Sequence, residues 1–246
     1  VHAGKPNKAS KSEVLFVTAP ENLYEDPETF DGMDMSDVDV GNGTIPIVNE
    51  FKYLGSLITQ DCRDGPDIDG RIKKAGAAFG ALRRCLFSCV SVSNMAKRAV
   101  YIGPILSILL YGAECWCLTE ELFNRLRTFH NRCVREMCRV TLHHTRRRRI
   151  SNEELGDRLG IAPIDVYISH RQLGWAGQIA RMPFSRLCRK MLPSWVRAKR
   201  PIGATQFTYA RGLHKALKKA QIDPHTWHQL AQDRAAWREA VVSALP

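Results

Sequence analysis

From Asp67 onward the apolar residues Ile68, Ile72, Ala75, Phe79, Leu82 and Leu86 follow one another at intervals of 4, 3, 4, 3 and 4. Only an α-helix puts all six on one face. The stretch predicts a long amphipathic helix with Arg71, Lys74 and Arg83 off the stripe and facing outward. The pattern recurs downstream. A second helix is expected from Ser93, carrying Val100, Ile105, Ile108 and Leu109, with a kink at Gly103-Pro104. A third is expected after Thr119, a good N-cap followed by Glu120 and Glu121; its stripe is Leu122, Leu126, Phe129, Cys133 and Met137. Ser151 and Glu154 fit a capping box that opens a short helix closed by Gly160. Pro163 suits the first position of the next helix, which carries Ile164, Tyr167, Ile168, Trp175, Ile179 and Met182. Two helices near 207–221 and 224–243 close the chain. Between them, 139–149 and 183–206 read as basic irregular segments.

Ahead of this helical body the period is different. Glu13–Thr18, Thr44–Val48 and Phe51–Thr59 are short β-type runs. Pro46 confines the second run to a sheet edge. Residues 19–43 are acidic and rich in turn formers. The expected fold is mainly α, a helical bundle with a small N-terminal antiparallel β element. The segments divide as 1–62, 63–142 and 143–246.

Charge follows the same division. Residues 1–69 carry 5 basic and 14 acidic side chains, whereas residues 70–246 carry 31 and 11, a net of +20. A basic body of that size points to a polyanionic partner, most often nucleic acid; an Arg-rich surface with no such partner is the plainer alternative. No apolar run approaches the length of a membrane span, and Val1-His2-Ala3-Gly4-Lys5 is not a signal peptide. The sequence does not begin with Met, so a piece of a longer product is expected. Without a secretory signal the eight cysteines read as reduced thiols, and the expected location is intracellular, nuclear or cytoplasmic.

Metal-binding patterns are weak. The acidic run Asp31, Asp34, Asp37 and Asp39 fails as a calcium loop, because aligned on Asp37 it offers Gly41, Asn42 and Val48 where Asp or Asn, Gly and Glu are needed. Cys115, Cys117, His130 and Cys133 make a poor zinc set, since one residue separates the first pair and structural sites use two to four. No metal site is expected in this chain. His143-His144 followed by Arg146, Arg147, Arg148 and Arg149 fits a phosphate clamp, a nuclear targeting signal or a mobile basic loop.

An ordered series of segments carries further meaning: Phe51-Lys52-Tyr53-Leu54-Gly55-Ser56, Arg71-Ile72-Lys73-Lys74-Ala75, Leu109-Leu110-Tyr111-Gly112-Ala113-Glu114-Cys115-Trp116, Phe129-His130-Asn131-Arg132-Cys133, Leu173-Gly174-Trp175-Ala176-Gly177-Gln178-Ile179-Ala180-Arg181-Met182 and Asp233-Arg234-Ala235-Ala236-Trp237-Arg238. In order and spacing the series resembles the region after the catalytic palm of LINE-like (non-LTR) retrotransposon reverse transcriptases, from about Ser12 to Val242. The resemblance implies a primer-grip-like strand turn at Phe51, Tyr53, Leu54 and Gly55; an ordinary core strand with a glycine bulge is the alternative. It implies that the following helices form a thumb that grips a template–primer duplex by its phosphates. Arg71, Lys73, Lys74, Arg83 and Arg84 on the first helix and Lys97 and Arg98 on the second suit that task, with Arg146–Arg149 as further phosphate contacts.

Polymerase chemistry needs carboxylates converging on two divalent metals, and in reverse transcriptases two of these form an Asp-Asp pair. The sequence contains no such pair. By the resemblance, Lys11–Leu15 corresponds to the end of the palm, so the chain is expected to start just downstream of the catalytic hairpin. Mg²⁺ is then expected only for the parent polymerase, with no cofactor in this chain. The expected partners are an RNA or RNA–DNA hybrid template–primer and the palm and fingers of the parent, and no membrane. Two alternatives stay open: a non-enzymatic RNA- or DNA-binding remnant in cellular use, and a helical protein–protein interaction module.

Overall fold

The computed structural model describes residues 13–15, 38–39, 44–192 and 208–244. Phe16–Thr18, Asp31, Asp34 and Asp37 of the acidic run, and 193–207 of the second basic segment lie outside the described residues. The chain divides into an N-terminal unit reaching Asp67 and a larger unit starting at Ile68. It is mainly helical with a small N-terminal antiparallel β element, as the patterning requires.

In the N-terminal unit, β1 (Val14–Leu15) pairs with β4 (Ile47–Val48), Val14 opposite Ile47. β2 (Val38–Asp39) pairs antiparallel with β3 (Thr44–Ile45). The β1–β4 pair is parallel, an addition to the antiparallel pairing expected. Pro46, which has no N–H to donate, separates β3 from β4. The single strand expected over 51–59 is a hairpin, β5 (Glu50–Tyr53) against β6 (Ser56–Thr59), with Tyr53 opposite Ser56. Its two turn residues, Leu54 and Gly55, have φ of 47° and 90°. Positive φ at both central positions marks the tight type I′ turn, which a leucine rarely occupies.

α1 (Gly65–Leu82) starts two residues before the expected Asp67. Asp67 itself, in the first turn, accepts a 3.0 Å hydrogen bond from the Leu57 amide of β6.

In the larger unit α1 buries Ile68, Ala75 and Phe79 as the stripe requires, with Ile72, Leu82 and Leu86 half-buried against them. A widened, π-helical turn, Arg83–Phe87, follows and swings Phe87 inward to stack on Phe79 at 4.2 Å. α2 (Asn94–Val100) is capped by Ser93 as expected. The expected kink at Gly103-Pro104 takes the form of a second π-helical turn, Tyr101–Ile105, which leads into α3 (Leu106–Leu109). Widening the turn accommodates the missing N–H of Pro104.

α4 (Glu120–Met137) is capped by Thr119 and buries Leu126, Phe129, Cys133 and Met137. The expected connector at 139–149 is corrected, because it contains a helix, α5 (Leu142–Arg148), capped by Thr141 and closed by Arg149 in the left-handed conformation. α6 (Asn152–Leu159) has Ser151 Oγ accepting from the Glu154 amide at 3.0 Å and Gly160 at its end with φ 65°. Pro163 sits just before α7 (Ile164–Ala180) rather than inside it. α8 (Leu187–Met191) and α9 (Tyr209–Lys219) follow. The expected last helix is two: α10 (Trp227–Leu230) and α11 (Arg234–Ala244). Asp233 explains the break. Its carboxylate accepts from the Ala235 and Ala236 amides, so it caps a new start. Among the described residues no helix is long and apolar enough to cross a membrane.

Two hydrophobic cores meet at α7. Ile164 and Ile168 join the core of α1–α4 and α6. Val166, Leu173, Ala176 and Ala180 join a second core with Leu213, Leu217, Trp237 and Val241. The second core is locked by a close approach. The Trp237 indole N–H donates to the Leu173 carbonyl at 3.1 Å, and a β-carbon on Gly177 would lie 2.2 Å from that nitrogen. Gly177→Ala gains about 1 kcal/mol of helix propensity but must push back a rigid, hydrogen-bonded ring, at about 1–3 kcal/mol for overpacking plus about 1 for the bond. Steric cost wins. Thermal unfolding of Gly177→Ala should fall by roughly 5 °C, whereas Gly174→Ala, which meets nothing within 4 Å, should match or exceed wild type.

Inside the first core Tyr101 Oη and His130 Nδ1 are 2.9 Å apart and both residues are buried. Burial lowers the His130 pKa to about 4. The folded state thus resists a proton that the unfolded chain takes up near pH 6.5. The stability held above that pH drains away as the pH falls toward 4, by about 3 kcal/mol in all. Urea midpoints measured from pH 7 to pH 4.5 should decline for wild type. His130→Asn keeps a partner for Tyr101 without a titrating group, and its decline should be much shallower.

Candidate nucleic-acid interface

Among the described cations of the larger unit, some are buried or held by partners and others reach solvent unpaired. Arg71, expected to face outward, is 6% exposed, with its guanidinium 4.4 Å from the centre of the Tyr111 ring. It borders the stripe, between Ile68 and Ile72, so its stem is drawn in and the ring takes the charge. Lys97, also expected at the surface, is 4% exposed. It stands four residues before Tyr101 and eight before Ile105, both fully buried, so it belongs to the inner face of its helix. Neither side chain is placed to grip a phosphate.

Arg83 and Arg98 are exposed but engaged. Arg83 pairs with Glu136 of α4. Arg98 donates to the Gly160 carbonyl at 2.6 Å, and Asn94 donates to the Arg158 carbonyl at 3.3 Å. α2 thereby satisfies carbonyls at the α6 C-terminus, where a positive charge is favoured. Arg125 joins Asp69 and Glu121 at 2.8 and 2.6 Å.

Arg127 grips Asp165 with two nitrogens, at 3.1 and 2.9 Å, and Glu120 with a third at 2.6 Å. Burial opposes the Asp165 charge, yet the bonded guanidinium holds its carboxyl below the usual range.

Among the unpaired cations is a group on α1 and on the π-helical turn that continues it. Lys73, Lys74 and Arg84 are exposed and make no ion pair among the described residues. Ala77, Gly80 and Ala81, exposed on the same helix, separate the two ends of this face. A β-carbon added at Gly70 or Gly80 would meet nothing within 4 Å, so no neighbour among the described residues demands their small size.

The second unpaired group is Arg146, Arg147, Arg148 and Arg149, all exposed. The first three complete the last turn of α5, where cations complement the helix dipole. The reading of this run as a loop is thereby replaced by a capped helix end.

In the N-terminal unit the primer-grip-like residues lie on the β5–β6 hairpin. Leu54 and Tyr53, 75% and 57% exposed, project at the turn. Phe51 is half-buried and stacks on Tyr53 at 6.4 Å, and Gly55 supplies the second positive φ.

Members of the weak zinc set have other surroundings. His130 is bonded to Tyr101, and burial pushes the Cys133 thiol up to about 12, so it stays protonated. Among the described residues no group of three or more His, Cys, Asp or Glu could hold a metal ion. All eight cysteines are free thiols.

Sequence reasoning missed the engaged roles of Arg83 and Arg98, whose partners lie 53 and 62 residues away. For Lys97 a signal was present in the spacing of four to Tyr101.

No protein-family model matches the chain, and no solved structure matches it. An uncharacterized transposon-derived protein of Caenorhabditis elegans is 27% identical over 198 residues, which is 77% of this chain and 69% of the worm protein. A Drosophila melanogaster protein named "Probable RNA-directed DNA polymerase from transposon BS" is 24% identical over 147 residues, 59% of this chain but 16% of the fly protein. The chain is therefore distantly similar to transposon-derived proteins, among them one named as an RNA-directed DNA polymerase.

Proposed function

We propose that this chain is the thumb and downstream part of a retroelement reverse transcriptase and holds template–primer by its phosphate backbone. The observation that carries the reading is the α1 face: Lys73, Lys74 and Arg84 without ion pairs, set about small residues with open space outside them. Cations supply sequence-independent affinity by releasing counterions. Small residues let the helix approach a sugar–phosphate surface closely. A solvated helix with no partner has no need of Gly70 and Gly80, each of which costs about 1 kcal/mol relative to alanine. The distant similarity to transposon-derived proteins supports the same reading. The β5–β6 turn, with Tyr53 and Leu54 exposed, is the proposed contact to a primer end, and Arg146–Arg149 are further phosphate contacts. RNA or an RNA–DNA hybrid is the proposed ligand.

Mg²⁺ in such a polymerase serves the chemical step. The described residues do not form a site for it, so no step through the metal is derived for this chain; the carboxylates that hold it belong, in this proposal, to the palm of a parent protein. Purified chain should accordingly show no templated primer extension with Mg²⁺ or Mn²⁺, and incorporation above background would contradict this assignment.

Binding to an RNA–DNA hybrid should be weakly sequence-dependent and strongly salt-dependent. With about five phosphates neutralised, log K should fall against log salt with a slope of −4 to −5. Lys73→Glu with Lys74→Glu should weaken binding about tenfold or more at low salt and reduce the slope by about two. Both side chains are exposed, so the melting temperature should move by less than about 2 °C. Unchanged hybrid affinity in this double variant, measured by fluorescence anisotropy, would remove the α1 face from the proposal.

A further inference from the structure

A second basic site lies in the larger unit, away from the residues assigned above. α7, α8 and α11 enclose an open cleft of about 1140 Å³. Its cationic wall is Arg186 at the start of α8 with Arg234 and Arg238 of α11. Arg234 and Arg238 are four apart and so project from one face of the helix. All three are exposed and make no ion pair among the described residues. A fourth arginine, Arg181, also lines the cleft, but one of its nitrogens is already committed to the Ala231 carbonyl at 2.6 Å. Among the described residues no carboxylate lines the cleft.

Beside His170 and Gln178, apolar side chains line the rest of it. Leu187 and Val242 are 69% and 56% exposed there, and Met182 is half-buried beside them. Exposed apolar side chains beside unpaired arginines need a ligand with the same duality. A base-paired duplex offers phosphates but keeps its base faces stacked inside. A single strand offers both, phosphates for the arginines and unstacked base faces for the apolar surface. The volume slightly exceeds the range of about 300–1,000 Å³ used for drug-sized ligands, which suits a short run of nucleotides.

We propose that this cleft binds single-stranded nucleic acid, with phosphates on Arg186, Arg234 and Arg238 and bases against Met182, Leu187 and Val242. The site does not depend on the thumb reading of α1.

The test uses the full chain and labelled oligonucleotides of roughly 12 nucleotides, as single-stranded RNA, single-stranded DNA of the same sequence, and an RNA–DNA hybrid. Arg234→Glu with Arg238→Glu should weaken binding of RNA, of DNA or of both single strands about tenfold or more. It should reduce the salt slope by about 1.4, two phosphates at 0.7 each, and leave the hybrid within about twofold. Lys73→Glu with Lys74→Glu should show the opposite pattern. The hybrid arm therefore reports on α1 and the single-strand arms on the cleft, so either reading can fail alone. Arg186→Glu, at the start of α8 rather than on α11, should reproduce the single-strand loss and serves if the α11 variant does not fold. The proposal is overturned if folded cleft variants bind single strands as wild type, or lose the hybrid equally. It is also overturned if an abasic oligonucleotide or poly-glutamate of matched length binds as tightly as the RNA, since either would show that the bases contribute nothing.

Discussion

The larger unit depends on one helix being buried from two sides. α7 gives Ile164 and Ile168 to one core and Leu173, Ala176 and Ala180 to another. A helix in this position has no solvent face wide enough to read as amphipathic. Its polar groups must therefore find partners within the protein. Gln172 donates to the Trp116 carbonyl at 3.2 Å on the side of the first core. At the other end, the Ala180 carbonyl accepts from Gln232, and the Leu173 carbonyl accepts from Trp237, 64 residues further along the chain. The approach of Trp237 requires glycine at 177. Two segments distant in sequence, one holding Leu173 and Gly177 and the other Trp237, form one interlock.

Charge is organised by the same packing. The bidentate Arg127–Asp165 pair joins α4 to the first turn of α7, where a carboxylate is also favoured by the helix dipole. Arg71, Arg83, Arg98 and Arg125 are likewise committed to a ring, to carboxylates or to a carbonyl. The +20 balance of residues 70–246 therefore overstates the charge free to meet a polyanion. Among the unpaired cations are those of the α1 face, the end of α5 and the wall of the α7–α8–α11 cleft, while Arg139, Lys190 and Lys218 reach solvent elsewhere.

Helix starts and the first apolar stripes are legible in the sequence because their causes are local. Ser93, Thr119 and Ser151 each accept a hydrogen bond from an amide three residues on, and a short window of sequence contains both partners. Arg71 and Lys97 defeat such reading because burial of a long cation depends on what covers it. The Tyr111 ring that covers Arg71 comes from the turn after α3, far along the chain. The hairpin at Leu54-Gly55 is hidden for another reason: leucine at positive φ is rare enough that the run reads as one strand. At α5, an Arg run with no apolar period gives no helical signal, and Thr141 is the single clue. The cleft is invisible in the sequence, since its walls come from helices that only the fold brings together.

The α1 face and the cleft carry the same charge but differ in what lies between the charges. On α1 the intervening residues are Ala77, Gly80 and Ala81, which expose little apolar area and set no lower limit on approach. A stiff, regular array of phosphates can lie along such a face. In the cleft the intervening residues are Leu187, Met182 and Val242. Their bulk would hold a duplex away from the arginines, while their apolar surface, costly to leave in water at about 25 cal/mol per Å², is covered only by a ligand that can turn its bases inward. In the proposed reading, the side chains between the cations, rather than the cations themselves, decide which form of nucleic acid each surface suits.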